Sequence, residues 1–153
     1  MRRVWVPVLI VLLLSGCGAD QSPKGDSAGG EALSRLRLPD GFEIHAELLT
    51  TPVQQQIGMM YRTKLDHDAG MLFVYPVPQA MPFWMHNVNL PLDIVFIGSD
   101  RKVVELVENA EPCLGESGKC PTYGGRVGAQ FVLEINGGDA AKHGVRLGTT
   151  ISF

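Results

Sequence analysis

The sequence predicts a mainly β (α+β) fold: a small, compact β-barrel or sandwich-like domain with one or two short helices. Two observations carry that prediction. The apolar segments are short and several alternate with polar residues, and 18 glycines and 10 prolines punctuate them. Many short strands separated by turn residues build barrels and sandwiches rather than helical bundles. The 153 residues suffice for one domain and contain no internal repeat.

The first element is an address. Met1-Arg2-Arg3 is a basic start, and residues 4–14 (VWVPVLIVLLL) are an apolar run broken only by Pro7. Crossing a bilayer takes about 20 apolar residues, so this run fits a secretory signal rather than a membrane span. Leu14-Ser15-Gly16-Cys17 then resembles a bacterial lipobox. It implies a lipoprotein signal peptide at residues 1–16, cleavage before Cys17, and acylation of Cys17. Two or three acyl chains anchor firmly, at about 0.8 kcal/mol per buried methylene. Gly18 after the cysteine, rather than Asp, resembles outer-membrane sorting, with the domain facing the periplasm. Residues 18–32 (GADQSPKGDSAGGEA) hold no large apolar side chain and are expected to be a flexible tether. The domain proper is expected over residues 33–153, with its first core residue near Leu36.

Within it, residues 42–48 alternate, with Phe42, Ile44, Ala46 and Leu48 on one face, as in a half-buried strand. Thr51-Pro52-Val53-Gln54 has the form of a capping box with proline at the first helical position, which predicts a helix to about Met59. Residues 66–70 read as a turn and 71–75 as an apolar strand. Pro76, Pro78, Pro82 and Pro91 predict a stiff, irregular stretch, with a strand inside it at 83–86. Residues 92–97 read as a buried strand, Gly98-Ser99-Asp100 as a hairpin turn and 102–107 as its partner. A strand is expected at 131–135, a helical turn at 138–143 stopped by Gly144, and a last strand at 149–153.

Cysteine usage agrees with export. With Cys17 acylated, Cys113 and Cys120 remain, separated by a loop containing two glycines. A disulfide is expected between them in an oxidising compartment. The competing two-thiolate metal site has too few ligands for a closed tetrahedron.

Several segments, taken in order, resemble one family. They are Ala46-Glu47-Leu48, Thr51-Pro52, Gly58-Met59-Met60, Gly70-Met71-Leu72-Phe73-Val74, Phe83-Trp84-Met85-His86-Asn87, Pro91-Leu92-Asp93-Ile94-Val95-Phe96 and Val132-Leu133-Glu134-Ile135-Asn136-Gly137-Gly138. Together they resemble domain of unknown function 192. The resemblance implies a small β-rich, barrel-like fold and no established activity. Met59 and His86 are mild departures from its usual residues, and the loop from Cys113 to Cys120 looks like an elaboration of exported members.

Three constellations are candidates for chemistry. Asp93 and Glu134 each sit inside an apolar run, where a carboxyl must be hydrogen-bonded or paired. On neighbouring strands they could form an acid/base pair, the basis of a hydrolase of some envelope polymer. Alternatively each faces solvent or ties down a loop through backbone N–H groups. Met59, Met60, Met71, Met81 and Met85 cluster in sequence with His86, and Met81, Met85 and His86 offer soft ligands for Cu(I). The alternative is that these methionines fill core gaps beside the prolines. Trp84, His86 and Asn87, with Asp93, could form a platform for a sugar or peptide. The alternative there is a buried indole with its N–H bonded to a carbonyl. His45 and His143 are expected to face solvent, and His67 to lie in a turn.

Other classes are disfavoured. The net charge is −3, and −5 beyond residue 16, since Arg2 and Arg3 are the leader's only charges. An acidic chain lacks the cationic face that nucleic acid needs. There is no serine nucleophile elbow, no phosphate-binding glycine loop and no His-Glu-x-x-His helix. The leading expectation is a non-enzymatic cell-envelope lipoprotein. It would be held to the membrane by its lipid, use no cofactor, and bind a small ligand, glycan or protein partner near Trp84.

Overall fold

The computed structural model describes residues 33–153. The expected signal peptide at 1–16, the expected acylation of Cys17 and the expected tether at 18–32 all fall outside the described residues. Ten strands and helices follow in order: β1 (Leu33–Arg37), β2 (Glu43–Leu49), α1 (Pro52–Ile57), β3 (Ala69–Gln79), β4 (Phe83–Trp84), β5 (Leu92–Ile97), β6 (Val103–Ala110), β7 (Thr122–Tyr123), β8 (Ala129–Asn136) and α2 (Asp139–Lys142). Six strands form one mixed sheet in the order β1-β2-β3-β8-β5-β6, and β4 pairs with β7 in a small second sheet.

The β2–β3 pair is parallel and therefore needs a crossover, which α1 supplies. The helix starts as its sequence requires. Thr51 accepts from the Gln54 N–H, while the Gln54 side chain accepts from the Thr51 N–H. It ends at Ile57, two residues earlier than expected, and Gly58 with φ of +45° closes the turn against Phe73.

The main sheet is buried on both faces. Leu36, Ile44, Leu72, Val95, Leu133 and Ile135 pack on the first face, with Ala140 of α2 above them. Met71, Phe73, Ile94, Phe96 and Val132 pack on the second, under Met59, Met85 and Phe83. That is why the β5 sequence LDIVFI is buried throughout instead of alternating with polar residues.

Of the two expected forms, barrel or sandwich, the chain takes the second. The sheet is open, and the molecule is a sandwich-like α+β fold, because β1 and β6 never pair. Nor do residues 149–153 form the expected strand. They make single bridges from Ser152 to Arg37 and from Thr150 to Lys102, tying the two sheet edges together. Arg101 clasps this tail, its guanidinium 3.7 Å from the Phe153 ring centre and 4.1 Å from that of Phe131.

The proline-rich stretch also differs from expectation. β3 runs on through Pro76 and Pro78 to Gln79, and its ladder with β8 is interrupted between Val74 and Gln79. Proline has no N–H to donate, so the chain stays extended while losing rungs. Cys113 and Cys120 form the expected disulfide.

Candidate functional site

The second face of the sheet carries an open cleft of about 340 Å³, bounded by α1, the end of β3, and β4. Pro52, Gln55 and Gln56 form one wall, Tyr75 the floor, and Met81, Pro82, Phe83 and Trp84 the other wall. None of these side chains is charged. The alternation of an extended segment aims them: Phe83 and Met85 turn inward, while Trp84 stays 40% exposed at the rim. Phe83 is held edge-on between Phe73 and Phe96, with ring centres 4.9 and 5.6 Å apart. Gly125 keeps the opposite wall in place. A Cβ there would lie 2.4 Å from the Pro82 nitrogen, and its φ of +71° favours glycine.

The buried-indole alternative for Trp84 is thus overturned, and the expected platform is assembled in part. The Trp84 and His86 rings lie 5.1 Å apart. Asn87 Nδ2 lies 3.4 Å from His86 Nδ1 and donates to the Tyr61 hydroxyl at 3.0 Å. A backbone φ of +58° at Asn87 turns this corner, and the Asn87 N–H donates to the carbonyl of Cys113, so the disulfide loop braces it.

Asp93 does not join them. It is fully buried on the first face, where three backbone N–H groups hold it. Oδ1 accepts from Asn109 at 2.7 Å and Gly138 at 3.0 Å, and Oδ2 accepts from Ala140 at 2.7 Å. Its place as a ligand contact is therefore corrected to that of a loop tie. It pins the first turn of α2 and the bulge that puts Glu108 and Asn109 opposite one residue of β5.

The proposed Asp93–Glu134 acid/base pair is corrected for a geometric reason. Asp93 pairs with Ile135, and Ile94 pairs with Glu134, so the two carboxyls project from opposite faces of the sheet. One lies among the first-face residues and the other beneath the cleft.

Glu134 is the less ordinary of the two. It is 4% exposed, its Oε2 has no hydrogen-bond partner, and burial pushes its carboxyl up to about 8. It lines a smaller cavity of about 30 Å³ together with Gly58, Met60 and Val88. Gln55, Gln56, Phe83 and Trp84 wall both this cavity and the larger cleft. The Tyr75 hydroxyl is pushed up to about 12, chiefly by burial and secondly by Glu134.

The methionines divide by burial. Met59, Met71 and Met85 belong to the apolar core, whereas Met81 lies at its margin in the cleft wall. Packing accounts for the buried three. Met85 is buried, while the half-buried His86 stands beside Trp84 and Asn87. Among the described residues, no three His, Cys, Asp or Glu side chains are grouped to hold a metal.

His143 differs from its expected exposure. It is 6% exposed, with Nδ1 2.8 Å from Asp40 Oδ2, and it stacks on Phe42 at 4.1 Å between ring centres. The hydrogen bond from His143 is the main cause holding the Asp40 carboxyl below its usual value. His45 is exposed, as expected.

An open, mixed sheet buried on both faces, with an uncharged aromatic cleft on one of them, defines a small sandwich-like α+β domain. The chain belongs to the DUF192 family, described as Uncharacterized ACR, whose family model matches residues 37–153. It is similar to a protein of unknown function from Novosphingobium aromaticivorans DSM 12444. That likeness has 33% identity and a TM-score of 0.71, over 83% of this chain and 89% of that one. It is also similar to a Sinorhizobium meliloti 1021 protein carrying a provisional transcription-regulator designation. There the identity is 34% and the TM-score 0.70, over 80% of this chain and 94% of that one. No curated protein matches it.

Proposed function

We propose that the protein is an exported lipoprotein, held by acylated Cys17 to the outer membrane on its periplasmic side, whose domain binds a small uncharged ligand in the Trp84 cleft. Neutral glycans are the favoured class. One observation carries the reading: a cleft of about 340 Å³ with an exposed indole at its rim and no charged side chain in its walls. That volume is within the range of small-molecule sites, which hold a few hundred cubic ångströms. An aromatic face takes the apolar face of a sugar ring, and side-chain amides take its hydroxyls. Gln55 Nε2 already donates to the carbonyls of Leu49 and Val74 at 3.0 Å each, which fixes this residue and leaves its carbonyl oxygen to accept. The lipobox at residues 14–17 and the disulfide support export. A net charge of −3 argues against carrying over the relative's regulator designation as direct binding to DNA.

The test has two arms. Neutral mono- and disaccharides are titrated while the Trp84 indole N–H is followed by NMR. Saturable shifts that vanish in Trp84→Ala, with the fold retained, support the reading; no shift with any sugar overturns the cleft. Mass spectrometry of membrane-derived protein should find Cys17 acylated at a new N-terminus, and an unprocessed leader would overturn the anchor.

A further inference from the structure

A buried carboxyl without a partner is costly unless it serves some purpose, because the group loses its hydration and gains nothing in return. Glu134 is in that position. Its oxygen Oε2 is buried and unpaired, although one rung of the ladder away Asp93 has every oxygen engaged. The small cavity that Glu134 lines shares four wall residues with the Trp84 cleft. A volume of about 30 Å³ exceeds the roughly 10–15 Å³ that one water-sized group needs.

We propose that the cavity at Glu134 is the inner subsite of the Trp84 cleft, taking one uncharged hydroxyl or carboxamide group of a ligand whose flat face stacks on Trp84. This rests on the cleft reading above and adds the recognition group to it. Holding its proton, the carboxyl both donates and accepts, as a hydroxyl or carboxamide does in return. Once ionised it only accepts, and the ligand's acceptor then meets a second acceptor in an enclosed site. The surroundings agree with an uncharged guest. β3 presents Met71 and Tyr75, β5 presents Ile94, and α1 and β4 present amides and aromatic rings. Tyr75 is the one titratable group among these, and it keeps its proton far above neutrality.

The experiment uses the full-length chain in a zwitterionic, sugar-free detergent, with N-acetylglucosamine as the probe because it carries hydroxyls and a carboxamide. The dissociation constant is read from the Trp84 indole shift between pH 6 and pH 9.5, while the Glu134 carboxyl carbon is followed by ¹³C NMR. Affinity should be flat below pH 7 and fall about tenfold per pH unit above pH 8. Saturating sugar should move the Glu134 titration to higher pH. Glu134→Gln, which keeps donor and acceptor, should bind with a flat pH profile; Glu134→Leu should bind at least tenfold more weakly. His86→Asn, whatever it does to the affinity itself, should still show the fall above pH 8, which separates Glu134 from the ring beside Trp84. Shifts at Trp84 with an affinity independent of pH would overturn the role of Glu134 and leave the cleft standing. No shift at Trp84 would overturn both.

Discussion

Replacing Asp93 with alanine should be among the most damaging single changes in this domain, and the structure sets the size of the effect. The side chain is fully buried and accepts three backbone N–H bonds from two separate segments. Asp93→Ala leaves all three donors without a partner. The Ala140 N–H is itself buried, so its loss costs about 2–3 kcal/mol. The Asn109 and Gly138 groups are partly buried and regain some hydration, so each costs about 1 kcal/mol. The expected loss of about 4–5 kcal/mol is a large share of the 5–15 kcal/mol by which domains are typically stable. Asp93→Asn retains the oxygen facing Asn109 and Gly138 but turns an N–H toward Ala140, so about 2–3 kcal/mol is expected. Urea unfolding followed by circular dichroism at pH 7 gives both values, with the m-value unchanged if the native fold persists. Amide exchange should quicken most at Ala140. A loss below about 1 kcal/mol in Asp93→Ala, with normal protection at Ala140, would refute the assignment of Asp93 as the tie between β5, β6 and α2.

Glu134 makes stability depend on pH with a definite sign. Its folded value near 8 lies above the ordinary value of 4.5, so the folded state holds the proton more tightly and stability falls as pH rises from about 4.5 to 8, then levels. Glu134→Gln should remove that slope and be more stable than the wild type at pH 8.5, by on the order of 4 kcal/mol; parallel wild-type and variant curves in a pH series of urea melts would contradict it. Thr51→Ala removes half of the capping box and should cost about 1 kcal/mol. Because α1 carries Gln55 and Gln56, it should also weaken binding at the cleft; an unchanged urea midpoint would count against the cap. Replacing Cys113 and Cys120 together by alanine should cost about 2–3 kcal/mol through loss of the short loop constraint. It should also broaden the Asn87 amide signal, since that N–H rests on the Cys113 carbonyl; a sharp, unshifted Asn87 signal would contradict the brace.

The parts legible from residues alone were those governed by neighbours in the chain. The capping box at Thr51, the buried run of β5, the hairpin at Gly98-Ser99-Asp100 and the disulfide all depend on local spacing, and local spacing is present in the sequence. β1 was less legible. In Leu33-Ser34-Arg35-Leu36-Arg37 only Leu36 is buried, because an edge strand needs few apolar residues and takes its order from pairing with β2. The length of β3 was hidden by Pro76 and Pro78, which forbid ladder bonds but not extended backbone.

The site required the third dimension. From sequence, Asp93 and Glu134 look alike, each a carboxyl between apolar neighbours. The register of β5 against β8 sends one to each side of the sheet, and only there do their surroundings differ. Three N–H groups converge on Asp93 from the β6 bulge and the start of α2, and nothing near it in sequence announces them. Glu134 meets an uncharged cavity made by α1, β3 and β4. Likewise the exposure of Trp84 and the burial of His143 depend on what packs over them. Chain-local chemistry determined the elements, the crosslink and the expected address of the protein. Tertiary packing decided which polar groups are satisfied, and it left the Glu134 carboxyl with an unpaired oxygen beneath the cleft.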